Sequence, residues 1–323
     1  MNFLHKQVKD LVDGACRILL LTDERIDGDT IGSTLGMYHV LRQAGKDVRV
    51  YSPKSMVDTL QFMPGVEVIE RDELVFIDGE FDLIIIFDCS DGQYFKDHLP
   101  KMNRQAPLIV FDHHHTNPRY GTVNVVEPEA ASSADVTWRF VKLAGYLVNK
   151  DAAQCFLTGI ITDTNIFSTS NTNEACLIAA KELVSLGAKL NYITQNTFGS
   201  RPVPTLKLWG VALERLHYNQ EFDALVTMIT RKDMERLGVG DEEADTKALS
   251  NMLNLLSEGQ DAVMVLRESK DGGVNASLRS QNRSVARLAE KYGGGGHEKA
   301  AGFRIENARL IEKDGQWFID KVA

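Results

Sequence analysis

The sequence predicts an α/β fold, with an N-terminal parallel-sheet, Rossmann-like domain and a smaller C-terminal mixed-sheet α/β domain. Two domains are expected because 323 residues exceed what one hydrophobic core usually supports. The first half alternates short β-rich runs with helical patterns, which is typical of a parallel sheet covered by helices on both faces. A segment of Gly, Pro and polar residues precedes a strand-rich part. We therefore place the N-terminal domain at 1–190, a linker at 191–206 and the C-terminal domain at 207–323.

The N-terminal strands are short apolar runs rich in β-branched residues. They are ILLLT (18–22), DVRVYS (47–52), LIIIFD (83–88) and LIVFD (108–112). The helix predicted over 31–45 has apolar residues at helical spacing, and Gly45 ends it. Three further helices are predicted at 134–148, 152–163 and 174–187. We interpret Trp138 and Phe140 as core residues, and Ser132 and Ser133 as an N-terminal helix cap.

The C-terminal domain is predicted as a mixed sheet with helices. Its strands are ALVTMIT (224–230), AVMVLRES (262–269), GVNASLRS (273–280) and AGFRI (301–305). A helix over 284–292 leads into a run of four glycines.

Composition excludes several classes of protein. A formal net charge of −9 argues against broad non-specific binding to nucleic acid, because that binding needs an excess of Lys and Arg. The apolar runs are too short to span a membrane, and residues 1–10 lack a signal-peptide pattern. Four cysteines without paired spacing predict neither a zinc site nor a disulfide framework. We expect a cytoplasmic protein that binds neither a membrane nor long duplex nucleic acid.

Acidic residues follow three of the predicted strands. Asp23, Asp88 and Asp112 each end one, and three histidines, His113, His114 and His115, come directly after the last. Each cluster alone could be a turn or a helix cap. The carboxyl ends of strands in an open α/β sheet share one crevice, however, and several carboxylates can share it at neutral pH only if some are protonated or a cation neutralises them. Oxygen ligands with some imidazole and no thiolate favour manganese or magnesium over zinc.

A calcium loop of the EF-hand type is a competing interpretation of the first acidic cluster. Asp23, Asp27 and Gly28 occupy positions one, five and six of such a loop. Position three is Arg25, however, and Thr34 stands where a bidentate acid is required. The element before the loop also has the pattern of a strand, so we exclude this interpretation.

The glycine run near the C-terminus is a candidate anion site. Residues 277–304 carry six Lys or Arg against two Glu, a local balance of +4 in an acidic chain. Four glycines let backbone N–H groups approach an anion closely, and Arg279 can grip a phosphate with two hydrogen bonds. The run is not a Walker loop, because no Gly-Lys-Ser/Thr follows it. Alone, it could equally be a turn.

The motifs in their order resemble a known family. They are IDGDTIGS (26–33), FDCSD (87–91), FDHHHTN (111–117), GIITDTN (159–165), LRS (278–280) and YGGGGHEKAAG (292–302). This set is similar to the DHH phosphoesterase family with its C-terminal DHH-associated domain. Within that family it resembles the nanoRNase and 3′-phosphoadenosine-5′-phosphate phosphatase branch, which is often labelled exopolyphosphatase-related. The resemblance covers nearly the whole chain.

The resemblance implies two manganese ions, with magnesium or cobalt as substitutes, in a cleft between the two domains. Asp88 would bridge the ions and His114 would contact the scissile phosphate. The implied metal ligands are Asp23, Asp27, Asp29, Asp88, His113 and Asp163. The implied substrate contacts are Arg279, Gly294, Gly295, Gly296 and His297. Two cations a few ångströms apart can activate a shared water for attack at phosphorus. We expect Asp112 to orient a ligand imidazole, and we interpret His115 as a loop residue.

The chain departs from the family pattern at its first motif. The family usually has a histidine where this chain has Asp23, and a proline where it has Ile26. An arginine that commonly follows the second motif is also not evident. A carboxylate keeps a ligand at position 23 but shortens its reach and adds negative charge, which could weaken the site or change its metal preference.

We therefore expect a manganese-dependent phosphoesterase that hydrolyses short single-stranded oligoribonucleotides, 3′-phosphoadenosine-5′-phosphate or both. Two alternatives stay open. One is a linear or cyclic dinucleotide phosphodiesterase or an exopolyphosphatase with the same site. The other is a nucleotide-binding protein whose catalysis has decayed at Asp23. The sequence also leaves a homodimer open.

Overall fold

The computed structural model describes two compact units. The described residues are 2–24, 26–92, 95, 98–102, 105–199, 201–241, 244–256, 262–313 and 316–321. The units are Met1–Gly199 and Ser200–Ala323. The division between them falls inside the segment 191–206, and the domain limits given above stay predictions.

The first unit contains a six-stranded sheet that is parallel throughout, as predicted. Its strands are β1 (Arg17–Thr22), β2 (Asp47–Tyr51), β3 (Ile69–Glu70), β4 (Leu83–Phe87), β5 (Leu108–Asp112) and β6 (Val123–Val126). Their order in the sheet is β3-β2-β1-β4-β5-β6. The order reverses between β1 and β4, and such a switch point opens a crevice at the carboxyl ends of the strands. The predicted acidic residues after β1, β4 and β5 therefore lie at the binding edge of the sheet.

Helices accompany this sheet. They are α1 (Phe3–Gly14), α2 (Gly28–Gln43), α3 (Val75–Asp78), α4 (Ser133–Ala144), α5 (Lys150–Asp163), α6 (Glu174–Ser185) and α7 (Leu190–Thr194). Helix α2 begins before the predicted residue 31 because the Asp27 carboxylate caps its first turn. Helix α4 ends before the predicted residue 148 because Gly145 turns the chain with a φ of 75°.

The core of the first unit lies on both faces of the sheet. In β1, Ile18 and Leu20 pack into one apolar cluster, and Leu19 and Leu21 pack into another. All four are completely buried, as expected for a central parallel strand. Trp138 and Phe140 also belong to the first cluster, which agrees with their interpretation as core residues.

Helices α2 and α5 approach each other closely enough to require glycine. A Cβ added to Gly32 would lie 2.6 Å from the Cys155 carbonyl oxygen and 2.7 Å from the Gly159 nitrogen. A Cβ added to Gly159 would lie 2.9 Å from Asp29 Oδ1. These short distances show that the start of α2, which carries Asp29, lies directly against α5, which carries Asp163 at its end.

We expect Gly32→Ala to destabilise the protein. The added methyl group meets backbone atoms that cannot move independently, and overpacking of this kind costs about 1–3 kcal/mol. Gly14→Ala is the matched control, because a Cβ there has nothing within 4 Å and the position is helical. Urea unfolding measures both variants. Equal stability of Gly32→Ala and the parent protein would contradict the close approach of the two helices.

The second unit contains a mixed sheet, as predicted. Its strands are β7 (His217–Asn219), β8 (Ala224–Ile229), β9 (Ala262–Glu268), β10 (Val274–Ser280), β11 (Gly295–His297), β12 (Ala300–Ile305), β13 (Ala308–Lys313) and β14 (Gln316–Lys321). The sheet order is β11-β12-β10-β9-β8-β7, in which only the β8–β9 pair is parallel among the described strands, and β13 and β14 form a separate hairpin. The helices are α8 (Val203–Glu214), α9 (Arg231–Leu237), α10 (Thr246–Leu256) and α11 (Ala286–Lys291). Across the residues described in both units, no helix is long and apolar enough to cross a bilayer.

Candidate metal centre

Acidic and imidazole side chains converge at the carboxyl ends of β4 and β5. Two groups have atoms placed closely enough to hold a metal ion, and they share His113. One group is Asp88, His113 and His114, and the other is Asp29, His113 and Asp163. Within each group the donor atoms lie within 4.8 Å of one another. The structure thus brings together four of the six residues predicted as metal ligands.

Asp88 lies at the centre of this arrangement. It follows β4 with a φ of 53°, a left-handed conformation that costs free energy in a residue other than glycine and that is common at functional sites. Its carboxylate accepts hydrogen bonds from Thr30 Oγ1 at 2.7 Å and from Ser133 Oγ at 3.0 Å. Burial, together with the negative charges of Asp29 and Asp27, raises the pKa of Asp88 well above its usual range. A cation beside it would reverse that shift.

One ring nitrogen of His113, Nε2, faces two carboxylates. Its Nδ1 lies 3.3 Å from the Ala130 carbonyl oxygen, which can only accept, so Nδ1 carries the hydrogen. Its Nε2 lies 3.8 Å from Asp88 Oδ1 and 3.7 Å from Asp163 Oδ2. Burial opposes a positive charge on this ring, but the carboxylates of Asp163 and Asp29 outweigh it and raise the pKa of His113 to about 9. In the metal-free protein His113 therefore carries a second proton on Nε2, and a metal ion could bind to this nitrogen in place of that proton.

Asp29 is held by the amino end of α4. Its Oδ2 accepts from the Ser133 N–H at 2.7 Å, and its Oδ1 accepts from the Ala134 N–H at 2.9 Å. The positive end of a helix favours a carboxylate. Burial and the neighbouring charge of Asp163 nevertheless raise the pKa of Asp29 to about 7.

Asp112 is fully buried, and both oxygens of its carboxylate accept hydrogen bonds. Its Oδ1 accepts from His114 Nδ1 at 2.7 Å and from the backbone N–H groups of His113 and His114 at 2.7 Å and 3.0 Å. Its Oδ2 accepts from Asn117 Nδ2 at 2.6 Å. Burial alone would raise the pKa of Asp112, but the hydrogen bond and charge of His114 lower it below its usual range. Asp112 thus orients the His114 ring, and it reaches His113 through the backbone alone.

Asp27 and Asp23, also predicted as metal ligands, lie outside both groups. Asp27 Oδ1 caps α2 by accepting from the N–H groups of Asp29 and Thr30. Asp23 Oδ1 accepts from the Glu24 N–H at 2.7 Å and from the Cys89 thiol at 3.7 Å. The short aspartate side chain is thus already hydrogen-bonded at the position where the family has an imidazole.

The predicted substrate residues lie in the second unit. Arg279 on β10 donates to Asn251 Oδ1 and to the Leu278 carbonyl oxygen, and none of the described carboxylates pairs with it. Burial lowers the pKa of Arg279 to about 10, so it stays cationic at neutral pH. A half-buried guanidinium with no acidic partner among the described residues is suited to an anionic ligand.

The second half of the glycine run, Gly295 and Gly296, belongs to strand β11. Gly295 and Gly296 lie opposite Gly302 and Ala301 of β12. A Cβ added to Gly294 would lie 2.1 Å from the Gly302 carbonyl oxygen, and Gly296 has a φ of 140°. Close packing and a backbone conformation that only glycine adopts easily therefore account for these two positions. The His297 side chain lies outside the described part of the structure.

Sequence reasoning missed several residues that build the centre. Ser132 is the helix cap that was predicted, since its hydroxyl accepts from the Asp135 N–H. The neighbouring Ser133 instead donates to Asp88, and Thr30 does the same from α2. Asn117 joins Asp112 to the Cys89 carbonyl oxygen. Thr30 and Asn117 stand inside the recognised motifs, but nothing in their spacing indicates which group they contact.

The donor set fits a hard divalent cation. Carboxylate oxygens and one imidazole nitrogen are the ligands that manganese and magnesium accept. Burial and the charge of Asp23 raise the pKa of the nearby Cys89 thiol to about 12, so it stays protonated. The raised pKa values of Asp29 and Asp88 show that their negative charges are disfavoured together, and a bound cation would stabilise the ionised carboxylates. The residues present therefore fit manganese or magnesium better than zinc.

We expect the metal-free protein to lose stability as pH rises. The folded pKa of Asp29 is about 7 against an ordinary 3.8, so the stability from its bound proton is lost as pH rises through about 7. The pKa of His113, about 9 against 6.5, acts in the same direction at higher pH. The thermal midpoint of metal-stripped protein should be lower at about pH 8 than at about pH 5, and added Mn²⁺ should raise it more at the higher pH. Equal midpoints without metal would contradict this description.

Both units of the chain are similar to known protein families. Residues 17–160 match the family model described as the DHH family, N-terminal domain, and residues 224–322 match the DHHA1 domain. A bifunctional oligoribonuclease and PAP phosphatase NrnA from Thermus thermophilus is 30% identical over 305 residues, covering 94% of this chain and 88% of that protein. Its namesake from Bacillus subtilis is 25% identical over 291 residues, covering 89% of each protein. The crystal structure of an exopolyphosphatase-related protein from Bacteroides fragilis is similar with a TM-score of 0.83 and 25% identity, covering 93% of this chain and 90% of that one.

Proposed function

The chain belongs to the DHH family and carries a DHHA1 domain after the DHH domain, and from this premise we propose that it is a manganese-dependent phosphoesterase for short oligoribonucleotides and 3′-phosphoadenosine-5′-phosphate. The chain is a hydrolase that acts on phosphoester bonds. The names of the Thermus and Bacillus relatives support the two substrates. The single observation that carries the proposal is the convergence of Asp29, Asp88, His113 and Asp163 at the carboxyl edge of the parallel sheet.

The proposed metal ligands are those four residues with Asp27 and Asp23, and Asp88 would serve both ions of a two-metal centre. When bound, the ions would lower the pKa of a shared water and neutralise charge at phosphorus. The protein orients two of these ligands with further hydrogen bonds. The Ala130 carbonyl oxygen fixes the His113 ring, and the N–H groups of Ser133 and Ala134 fix the Asp29 carboxylate. Ligands oriented in this way generally bind metal more tightly.

His114 is proposed to contact the scissile phosphate. Its ring is fixed by the Asp112 carboxylate at 2.7 Å, and that carboxylate is buried away from water. Burial opposes a charge on the ring, but the hydrogen bond to Asp112 and the charge of Asp88 outweigh it and raise the pKa of His114. A protonated imidazole in this place would stabilise negative charge that develops on the phosphate oxygens.

Arg279 is proposed to bind a second phosphate of the substrate, with backbone groups of Gly294, Gly295 and Gly296 and with His297 beside it. Its guanidinium lacks an acidic partner among the described residues. A second phosphate is a feature of both a dinucleotide and a 3′,5′-bisphosphate. We expect Arg279→Lys to raise KM by about tenfold or more, because lysine cannot form the paired hydrogen bonds. Arg309→Lys, an exposed arginine on β13, is the control.

A nucleotide-binding protein without turnover is the second candidate, and Asp23 is the observation that favours it. Its carboxylate already accepts from the Glu24 N–H and lies beside the Cys89 thiol. In that case Asp23→His would restore hydrolysis that the native chain lacks.

A substrate panel tests the proposal. Native protein with Mn²⁺ is compared on a linear diribonucleotide, 3′-phosphoadenosine-5′-phosphate, a cyclic dinucleotide and inorganic polyphosphate. We expect the largest kcat/KM on the first two. Turnover of the cyclic dinucleotide or polyphosphate alone would reassign the substrate, and no turnover by the native chain together with turnover by Asp23→His would favour the second candidate.

A further inference from the structure

We infer that the hydroxyls of Thr30 and Ser133 are positioning groups that fix Asp88 for metal binding, an inference that rests on the proposed function. Thr30 Oγ1 donates to Asp88 Oδ2 at 2.7 Å, and Ser133 Oγ donates to Asp88 Oδ1 at 3.0 Å. Thr30 and Ser133 are 0% exposed and Asp88 is 7% exposed. The carboxylate is therefore held at both oxygens by neutral donors that water does not reach.

The number of hydrogen bonds that the Asp88 carboxylate can accept explains why hydroxyl groups suit positions 30 and 133. Each oxygen of an ionised carboxylate can accept about two hydrogen bonds. One hydroxyl on each oxygen fixes the plane of the Asp88 carboxylate and leaves each oxygen able to accept a further partner. A Lys or Arg in either place would neutralise the charge that attracts a cation. A hydroxyl orients the carboxylate and leaves its charge intact.

The two hydroxyl residues also tie Asp88 to the other carboxylates of the site. Ser133 donates its backbone N–H to Asp29 Oδ2 at 2.7 Å, so one residue holds Asp29 and Asp88 together. Thr30 donates its backbone N–H to Asp27 Oδ1 at 3.0 Å. The left-handed backbone of Asp88 is not favoured by itself, so its orientation depends on such restraints.

Buried hydroxyl groups one turn further along the same two helices have different acceptors. Thr34 and Thr137 are also completely buried on α2 and α4. Their hydroxyls donate to carbonyl oxygens of their own helices, at 2.7 Å to Thr30 and at 2.8 Å to Ser133. Thr30 and Ser133 lie in the first turns of α2 and α4, where the residue four positions earlier precedes the helix, so this pairing is not open to them. Their hydroxyls reach the Asp88 carboxylate, 58 and 45 residues away in the chain, and the Thr30 hydroxyl also lies 3.2 Å from Asp27 Oδ1.

Mn²⁺ binding to metal-stripped full-length protein, measured by isothermal titration calorimetry, tests the inference. Thr30→Val and Ser133→Ala remove the hydroxyls one at a time. We expect each to weaken Mn²⁺ binding by about 10–100-fold, the usual effect of losing a group that orients a metal ligand. Thr30→Ser keeps the hydroxyl and should bind Mn²⁺ like the parent.

Two controls separate positioning from stability. Thr158→Val and Ser250→Ala remove completely buried hydroxyls that donate to their own helices at 2.8 Å and 2.9 Å, and both should leave Mn²⁺ binding unchanged. Parent-like Mn²⁺ binding by both Thr30→Val and Ser133→Ala would overturn the inference, and so would equal weakening in the controls. If the native protein hydrolyses no substrate while the binding loss persists, the proposed function fails and the role of the hydroxyls stands.

Discussion

Asp88→Asn should lower kcat by at least about 10³-fold on any substrate that the native protein hydrolyses, because the variant loses the carboxylate shared by both proposed metal ions. The fold should survive. Burial and the charges of Asp29 and Asp27 hold the pKa of Asp88 well above its usual range, so the metal-free protein already favours an uncharged side chain at this position. We therefore expect a metal-free thermal midpoint no lower than that of the parent, combined with a much smaller rise on addition of Mn²⁺.

The control for this variant is Asp10→Asn, which changes an exposed carboxylate on α1. It should retain full activity and the full response to Mn²⁺. Turnover of Asp88→Asn within tenfold of the parent protein would mean that the chemistry does not depend on this carboxylate.

Asp112→Asn should reduce both activity and stability. Hydrogen-bond donors face both oxygens of Asp112: the ring and backbone N–H of His114 with the backbone N–H of His113 on one side, and Asn117 on the other. An asparagine would place its own N–H₂ group against donors in either orientation. We expect a loss of about 1–3 kcal/mol of stability and a fall of about 10–100-fold in kcat, because His114 loses the group that orients it.

Asp47→Asn is the control for this prediction, since the Asp47 side chain is 66% exposed. Urea unfolding and steady-state kinetics measure the two effects separately. A variant with parent-like kcat and reduced stability would show that Asp112 supports the fold alone.

Much of the framework could be predicted because its signals are local. Apolar runs gave β1, β4 and β5 nearly to the residue, and the rule that parallel strands present their carboxyl ends together placed Asp88 and His113 at one edge. The same reasoning could not anticipate that Asp23 would lie outside the two groups, because that depends on its hydrogen bonds to Glu24 and Cys89.

The contacts that complete the site depend on tertiary structure. Ser132 and Ser133 look alike in sequence, yet one caps α4 and the other donates to Asp88. Thr30 reaches the same carboxylate across 58 residues. No periodicity or spacing encodes such pairs.

Two backbone features were also beyond sequence reasoning. The segment 191–206, predicted as a linker, begins inside helix α7. Ile193 of this helix is completely buried in the core of the first unit. After α5, Asn165–Phe167 form a left-handed turn with φ values of 45°, 58° and 60° and no glycine, which few sequences adopt. Beyond that turn, Asn171 donates to Asp163 Oδ2 at 3.3 Å and to the Ala131 carbonyl oxygen at 2.7 Å.

The most direct test of the central claim is hydrolysis of a linear diribonucleotide by metal-stripped native protein before and after addition of Mn²⁺. A metal centre at Asp29, Asp88, His113 and Asp163 that drives phosphoester hydrolysis predicts no turnover without metal and saturable turnover as Mn²⁺ is added. Equal turnover in the presence of a chelator would contradict the metal centre, and binding of the dinucleotide with Mn²⁺ but without cleavage would contradict the assignment as a hydrolase.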